Sequence, residues 1–425
     1  MKVKSDVSSK EIYLWNMLGN IAAAGSSVLY LLIITRLTDA QTADVFSLVN
    51  GIAAVWVVIG LFQVRTFQGT DVKAVYSFSN YKLARILSVG LMLVTILPYL
   101  YWIDYPLTDW TSIAVMLLFL LYRVCDALSD LYQGLFQQHE RLDLAGKSMT
   151  YRYGLSVVTL ALGLVLTKSI VLALGLLFLI NIVFVLLYDV RLSPNFIRVK
   201  QKVTFKVGFT KAIEILKACF PLFLSGFLLA LIFNEPKQAI AIGLNQGWIG
   251  EGAQRDYGIL FMPAFFMSLF ILILRPLITQ LAVYWNKGEE IKFRQVSKKL
   301  FASLIFGGAG ITILAALLGT PILSLIFGLE LNAQWLSLTL IVAGGVFYSI
   351  AITFIDIMTI FRKQGYFIPV LVFIAILSKL ITESLVRFNG LVGAGFSFLI
   401  VMLVFMLGNA MIYFIYVRRK KKYDI

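Results

Sequence analysis

The sequence predicts an all-α membrane protein of about twelve transmembrane helices arranged in two six-helix lobes. Three observations carry that prediction. Of the 425 residues, 60% are hydrophobic and 14% charged, against roughly 45–50% and about 25% in soluble domains. Uncharged runs such as Ile170 to Tyr188, Leu300 to Leu329 and Phe388 to Val417 match the ~20 apolar residues that cross a hydrocarbon layer. Lysine and arginine gather between such runs. A soluble enzyme is excluded, because a globule of this size cannot hide so much apolar surface. The 33 Phe and 19 Tyr exclude disorder.

Spans are expected near 12–35, 43–64, 86–103, 111–136, 149–167, 170–190, 218–244, 257–285, 300–326, 335–360, 365–386 and 391–417. Gly319 and Pro321 predict a bend in the ninth. The first apolar run is full length and lacks a small-residue cleavage site, so no cleavable signal peptide is expected. With Met1 in the cytoplasm, the inner segments collect most of the 37 lysines and arginines. These include Arg65, Lys73, Lys82 and Arg85 in the first inner segment, and Arg141, Lys147 and Arg152 in the second. The outer side keeps Arg36, Lys168, Arg255 and Arg387. This is the positive-inside pattern, with both termini cytoplasmic. It accounts for the net charge of +15 without a nucleic-acid partner. The stretch 191–217 holds seven basic residues and one acid, Glu214. It reads as a basic cytoplasmic linker that sets topology and lies against anionic lipid. The organisation expected is therefore a lobe over 1–190, the linker 191–217, a second lobe over 218–417 and a basic tail over 418–425.

Enzyme signatures are missing. Gly146-Lys147-Ser148 resembles the end of a phosphate-binding loop, but Arg141 stands where the first glycine belongs. It is expected to be a short inner loop opening a membrane helix. Gly393 and Gly395 lie in an apolar run, where small residues let helices pack closely. His139 is the single histidine, and Cys125 and Cys219 form no CxxC spacing. Catalytic and metal-ligating residues are therefore assigned to none, and no cofactor is expected.

Charges at membrane depth are costly and mark functional positions. The fourth span carries Arg123, Asp126, Asp130 and Gln133. Spacings of three, four and three put them on one helical face. That stripe either lines a polar cavity or forms an internal ion pair. The seventh span reads Asn234-Glu235-Pro236-Lys237-Gln238. Pro236 predicts a kink or break there, beside water or a polar ligand. Arg275-Pro276 lies deep in the eighth span, and Lys379 with Glu383 in the eleventh reads as a self-neutralised i,i+4 pair. Arg65, near Gln63 and Gln68, is expected to snorkel at the inner end of the second span. A deep set rich in arginine and lysine suits phosphate or carboxylate. The expected substrate contacts are Arg123, Lys237 and Arg275, then Arg65 and Lys379. The cavity or ion-coupling acids are Asp126, Asp130 and Glu235.

Two six-span halves joined by a basic loop resemble the multidrug/oligosaccharidyl-lipid/polysaccharide exporter superfamily. Asn16-Met17-Leu18-Gly19-Asn20 with Tyr30 to Leu37, and Phe46-Ser47-Leu48 to Gly51, are similar to the first two helices of its polysaccharide branch, the Wzx-type flippases. Asn234 to Ile240, followed by Tyr257-Gly258-Ile259-Leu260-Phe261-Met262-Pro263-Ala264, resembles the seventh and eighth helices of Gram-positive teichoic-acid flippases. Those relatives commonly carry a small residue where this chain has Glu235. The resemblance implies a MATE-like fold in a bacterial cytoplasmic membrane. It implies a transporter, not an enzyme, that flips undecaprenyl-pyrophosphate-linked oligosaccharide or teichoic-acid repeat units outward by alternating access. With no ATP motif, coupling to H+ or Na+, or movement driven by the substrate gradient, is implied. The partners implied are the undecaprenyl-linked glycan, membrane lipids and a glycan polymerase or ligase. The alternatives are a multidrug extruder of the same fold, which would concentrate acids for cationic drugs, and a non-transporting scaffold for glycan enzymes.

Overall fold

The computed structural model describes residues 7–71, 75–103, 105, 109–197, 205–264, 277–278, 280–361 and 363–423. Among these residues all regular structure is helical. Among the described residues ten helices are long and apolar enough to cross a membrane, which makes this a multi-pass membrane protein. The last runs Gly365–Arg418 and is interrupted at Gly390, whose φ of 54° and ψ of −130° are not helical. A left-handed φ costs little without a Cβ, so one long helical stretch yields the two passes expected there. The span expected over 257–285 falls largely outside the described residues.

The first helices are α1 (Ser9–Leu37), α2 (Ala40–Leu61), α3 (Val64–Thr70), α4 (Phe78–Trp102), α5 (Trp110–Gln138), α6 (Leu142–Thr167) and α7 (Ile170–Phe184). Local chemistry sets their starts. The Asp39 carboxylate accepts from the Thr42 backbone N–H at 2.7 Å, which caps α2 and holds the Asp39 carboxyl below its usual range. Asp109 caps α5 through the N–H groups of Thr111 and Ser112. A π-helical turn, Val185–Val190, continues α7. Then come α8 (Phe205–Asn245), α9 (Ala253–Leu260), α10 (Glu290–Leu314), α11 (Thr320–Phe327), α12 (Trp335–Ile360) and α13 (Ile368–Tyr423). At Gly319 and Pro321, where a bend is expected, a π-helical turn, Ala315–Gly319, joins α10 to α11.

Three expectations are corrected here. First, α4 and α6 begin at Phe78 and Leu142, well before the apolar runs. Arg85 and Arg152 therefore lie inside helices, not in inner loops. Once paired with acids, an arginine can extend a membrane helix beyond its apolar stretch. Second, α8 runs through Pro236 as one helix. Proline removes one N–H, and neighbouring groups in a membrane bundle re-satisfy the freed carbonyl, so helical geometry survives. Third, the second half of the expected linker, from Phe205 on, is the start of α8.

The chain forms two compact units, Met1–Ala230 and Leu231–Ile425. In the first, α1 lies directly on α6. A Cβ on Gly19 would meet the Gly146 carbonyl oxygen at 2.9 Å, so the two backbones touch as only glycine permits. Phe62 stacks on Phe223 at 4.1 Å. In the second unit, Phe293, Leu300, Ile357, Met358, Phe361 and Phe367 form one apolar core with Leu281. Gly395 sits against the Ser337 backbone, the close packing expected of it.

Candidate functional site: a buried arginine–carboxylate network

At 1.5 Å per residue the 29-residue α5 is about 43 Å long, and its polar stripe runs from the middle to one end. Arg123 and Asp126 occupy the middle. The Arg123 Nη1 donates to Asp126 Oδ2 at 2.9 Å, and its Nη2 donates to Asn50 of α2 at 3.3 Å. From α6, Arg152 Nη1 meets Asp126 Oδ1 at 2.7 Å and also reaches Asn181 of α7. The Tyr153 hydroxyl donates to the same Oδ1 at 3.1 Å. One carboxylate thus takes three donors, which offsets the cost of burying it. The guanidinium groups also lie over rings, Arg123 over Phe119 and Tyr122 and Arg152 over Tyr153. Two cations against one anion leave this cluster with a net charge of +1.

One turn beyond Asp126 on α5, Asp130 organises a second cluster. Arg85 of α4 is fully buried. Its Nη2 meets Asp130 Oδ2 at 2.6 Å, and its Nη1 donates to the Gly60 carbonyl at 2.6 Å. That carbonyl is available because α2 ends at Leu61 and its last carbonyls have no helical partner. Arg65 does not simply snorkel. It donates to Gln133 at 2.6 Å and to Gln137 at 3.2 Å, and stands 3.5 Å from Asp130. It is held there by a sharp break between α2 and α3, where Phe62 and Gln63 both have positive φ, 44° and 55°. Such backbone is strained in residues with a Cβ. This cluster again carries two cations and one anion. Its Arg65 side chain is 22% exposed and that of Asp130 17%, so this is the accessible edge of the network.

Asp189, in the π-helical turn after α7, is wholly buried. It accepts from Ser129 and Ser148 at 2.7 Å each. Ser129 in turn accepts from Gln133 at 2.9 Å, joining Asp189 to the Arg65 cluster.

The phosphate-loop likeness at residues 146–148 dissolves. All three lie within α6. Gly146 is the glycine packed on α1, Lys147 pairs with Glu11 at 3.0 Å, and Ser148 serves Asp189.

In the second unit Lys379 meets Glu235 of α8 at 3.0 Å and not Glu383. A helix-to-helix partner, with Glu235 buried, replaces the i,i+4 pair that sequence spacing suggested. Lys237 forms no ion pair or hydrogen bond among the described residues. Nearby in sequence, Asn234 is buried with neither amide atom partnered there. Phe233, four residues before Lys237 and so on its face, packs against Tyr348 at 4.9 Å and Phe398 at 5.7 Å. Arg275 lies outside the described residues.

Sequence reasoning found the α5 stripe but missed Arg85, Arg152 and Asp189. Arg85 and Arg152 looked like loop charges. Asp189 stood at the edge of an apolar run, and only its burial singles it out.

No protein-family model and no curated protein sequence matches the chain. Solved structures do. A multidrug resistance MATE family transporter of the MOP superfamily, in an inward-facing conformation, superposes with a TM-score of 0.73 at 13% identity over 98% of this chain and 99% of that one. The lipid II flippase MurJ, in an inward closed conformation, gives 0.64 at 13% identity over 93% and 87%. A MOP superfamily transporter from Pyrococcus furiosus, with a binding pocket of reverse polarity, gives 0.58 at 12% identity over 97% and 94%. At these identities the likeness establishes the architecture: the chain has the MATE-type fold.

Proposed function

We propose that the chain is a flippase carrying undecaprenyl-pyrophosphate-linked oligosaccharide or teichoic-acid repeat units from the inner to the outer leaflet by alternating access, with both termini in the cytoplasm. One observation carries the reading. Arg65, Arg85, Arg123 and Arg152 face only Asp126 and Asp130 in their two ion-pair clusters, so each cluster keeps an excess positive charge. An anionic headgroup cannot enter hydrocarbon without such partners, and guanidinium forks match phosphate oxygens. A binder of cationic drugs would need the opposite balance. Lys237, with no acid beside it among the described residues, supplies a further cation that internal pairing does not consume. The similarity to a lipid II flippase and to a MOP transporter of reversed pocket polarity supports the same direction.

The test is a reconstituted assay. Proteoliposomes holding the full chain are loaded with a fluorescent undecaprenyl-pyrophosphate saccharide, and the leaflet distribution is read by external quenching. Protein-dependent flipping is expected, and charge reversal at Arg65, Lys237 and Arg275 together should abolish it. Export of a cationic dye with no flipping would instead identify a multidrug extruder. Surface polymer lost on truncating the basic inner segments but intact after those reversals would identify a scaffold.

A further inference from the structure

We infer that Asp189 is a proton-binding site whose occupancy sets the anion affinity of the arginine network. Asp126, Asp130 and Glu235 each have a cationic partner within ion-pair distance. Among the described residues Asp189 does not: its two oxygens meet only the Ser129 and Ser148 hydroxyls there, and its residue is completely buried. A buried carboxylate with neutral hydrogen-bond partners is a poorly compensated charge, and a proton removes that cost. A protonated Asp189 donates its own hydrogen to one hydroxyl, which has a free lone pair to accept it. The surrounding titratable and charged groups are Arg152 on α6, which is committed to Asp126 and Asn181, Tyr132 on α5 and Tyr188 beside Asp189. The π-helical turn that aims Asp189 inward is a conformation enriched at functional positions.

The consequence follows from counting charge. With Asp189 ionised, four arginines face three carboxylates and the network is +1. With Asp189 protonated it is +2, and an anionic headgroup binds more tightly. The relay from Asp189 through Ser129 and Gln133 ends on Arg65, the exposed cation. Proton uptake would load the headgroup and proton release would discharge it. This coupling rests on the flippase reading, whereas the proton site itself does not.

Two measurements on the full chain in lipid nanodiscs separate them. Infrared difference spectra across a pH titration should show the carbonyl band of a protonated carboxylic acid, lost in Asp189→Asn and displaced in Asp189→Glu. Binding of inorganic pyrophosphate should weaken about tenfold through the same titration and become flat in Asp189→Asn. If Asp189→Asn does not fold, Ser129→Ala combined with Ser148→Ala should move the band's midpoint by about one pH unit or more. A band unchanged in these variants overturns the proton site. So does a band absent at every pH with a sodium-dependent spectrum in its place. A confirmed band with pyrophosphate binding that ignores pH overturns the coupling and leaves the proton site standing.

Discussion

In the first unit Asp126 and Asp130 each lie between two guanidinium groups from different helices. In the second, Glu235 meets one ammonium, and Lys237 meets no acid among the described residues. The first arrangement ties α3, α4, α5 and α6 together through shared carboxylates. The second leaves a cation uncommitted one helical turn from an aromatic cluster. Deep charge therefore has two uses in one chain. Where acids bridge arginines, removing the acid breaks the bundle. Where a lysine stands apart, removing it should leave the fold alone and change only what the protein binds.

That contrast can be broken in four ways. Asp126→Asn leaves Arg123 and Arg152 facing one another in a buried site. A loss of about 3–5 kcal/mol is expected, read as a collapse of thermal stability in detergent, and a stable variant would show that the bridge is ornamental. Lys379→Met strands the buried Glu235 and should cost about 1–3 kcal/mol. Adding Glu235→Gln should restore most of that loss, and failure to do so would mean Lys379 acts through other contacts. Lys237→Met should shift stability by no more than about 0.5 kcal/mol while weakening pyrophosphate binding about tenfold, or about 1.4 kcal/mol. A stability loss with intact binding would reverse its assignment. Gln63→Gly relieves the left-handed backbone at the α2–α3 break and should stabilise by about 1 kcal/mol. If it also mislays Arg65, flipping will fall although the protein melts later.

Much of this was legible beforehand. The α5 stripe followed from spacing, because residues three and four apart must share a helical face. The Arg123–Asp126 pair was one of the two readings that spacing allowed, but the second cation on Asp126 did not follow: Arg152 is 26 positions away, and nothing local links them. Arg85 and Arg152 were misread for a related reason. Their neighbours in sequence are polar, and hydropathy windows report neighbours in sequence, not in space. The break at Phe62 and Gln63 left no trace in residue type, since neither favours positive φ. Pro236 misled in the other direction, through a real local cost that the bundle absorbs.

The sequence by itself determined the solvent, the helical class and the wealth of deep cations. Each of these is a sum over residues: apolar length against bilayer thickness, and charge against hydropathy. Tertiary structure alone decided which charges are spent on one another. Pairing depends on helices brought side by side, with distances of a few ångströms separating a bridged guanidinium from an uncommitted ammonium. That is why Asp189, one carboxylate at the edge of an apolar run, became conspicuous only once two serines from other helices were seen to enclose it.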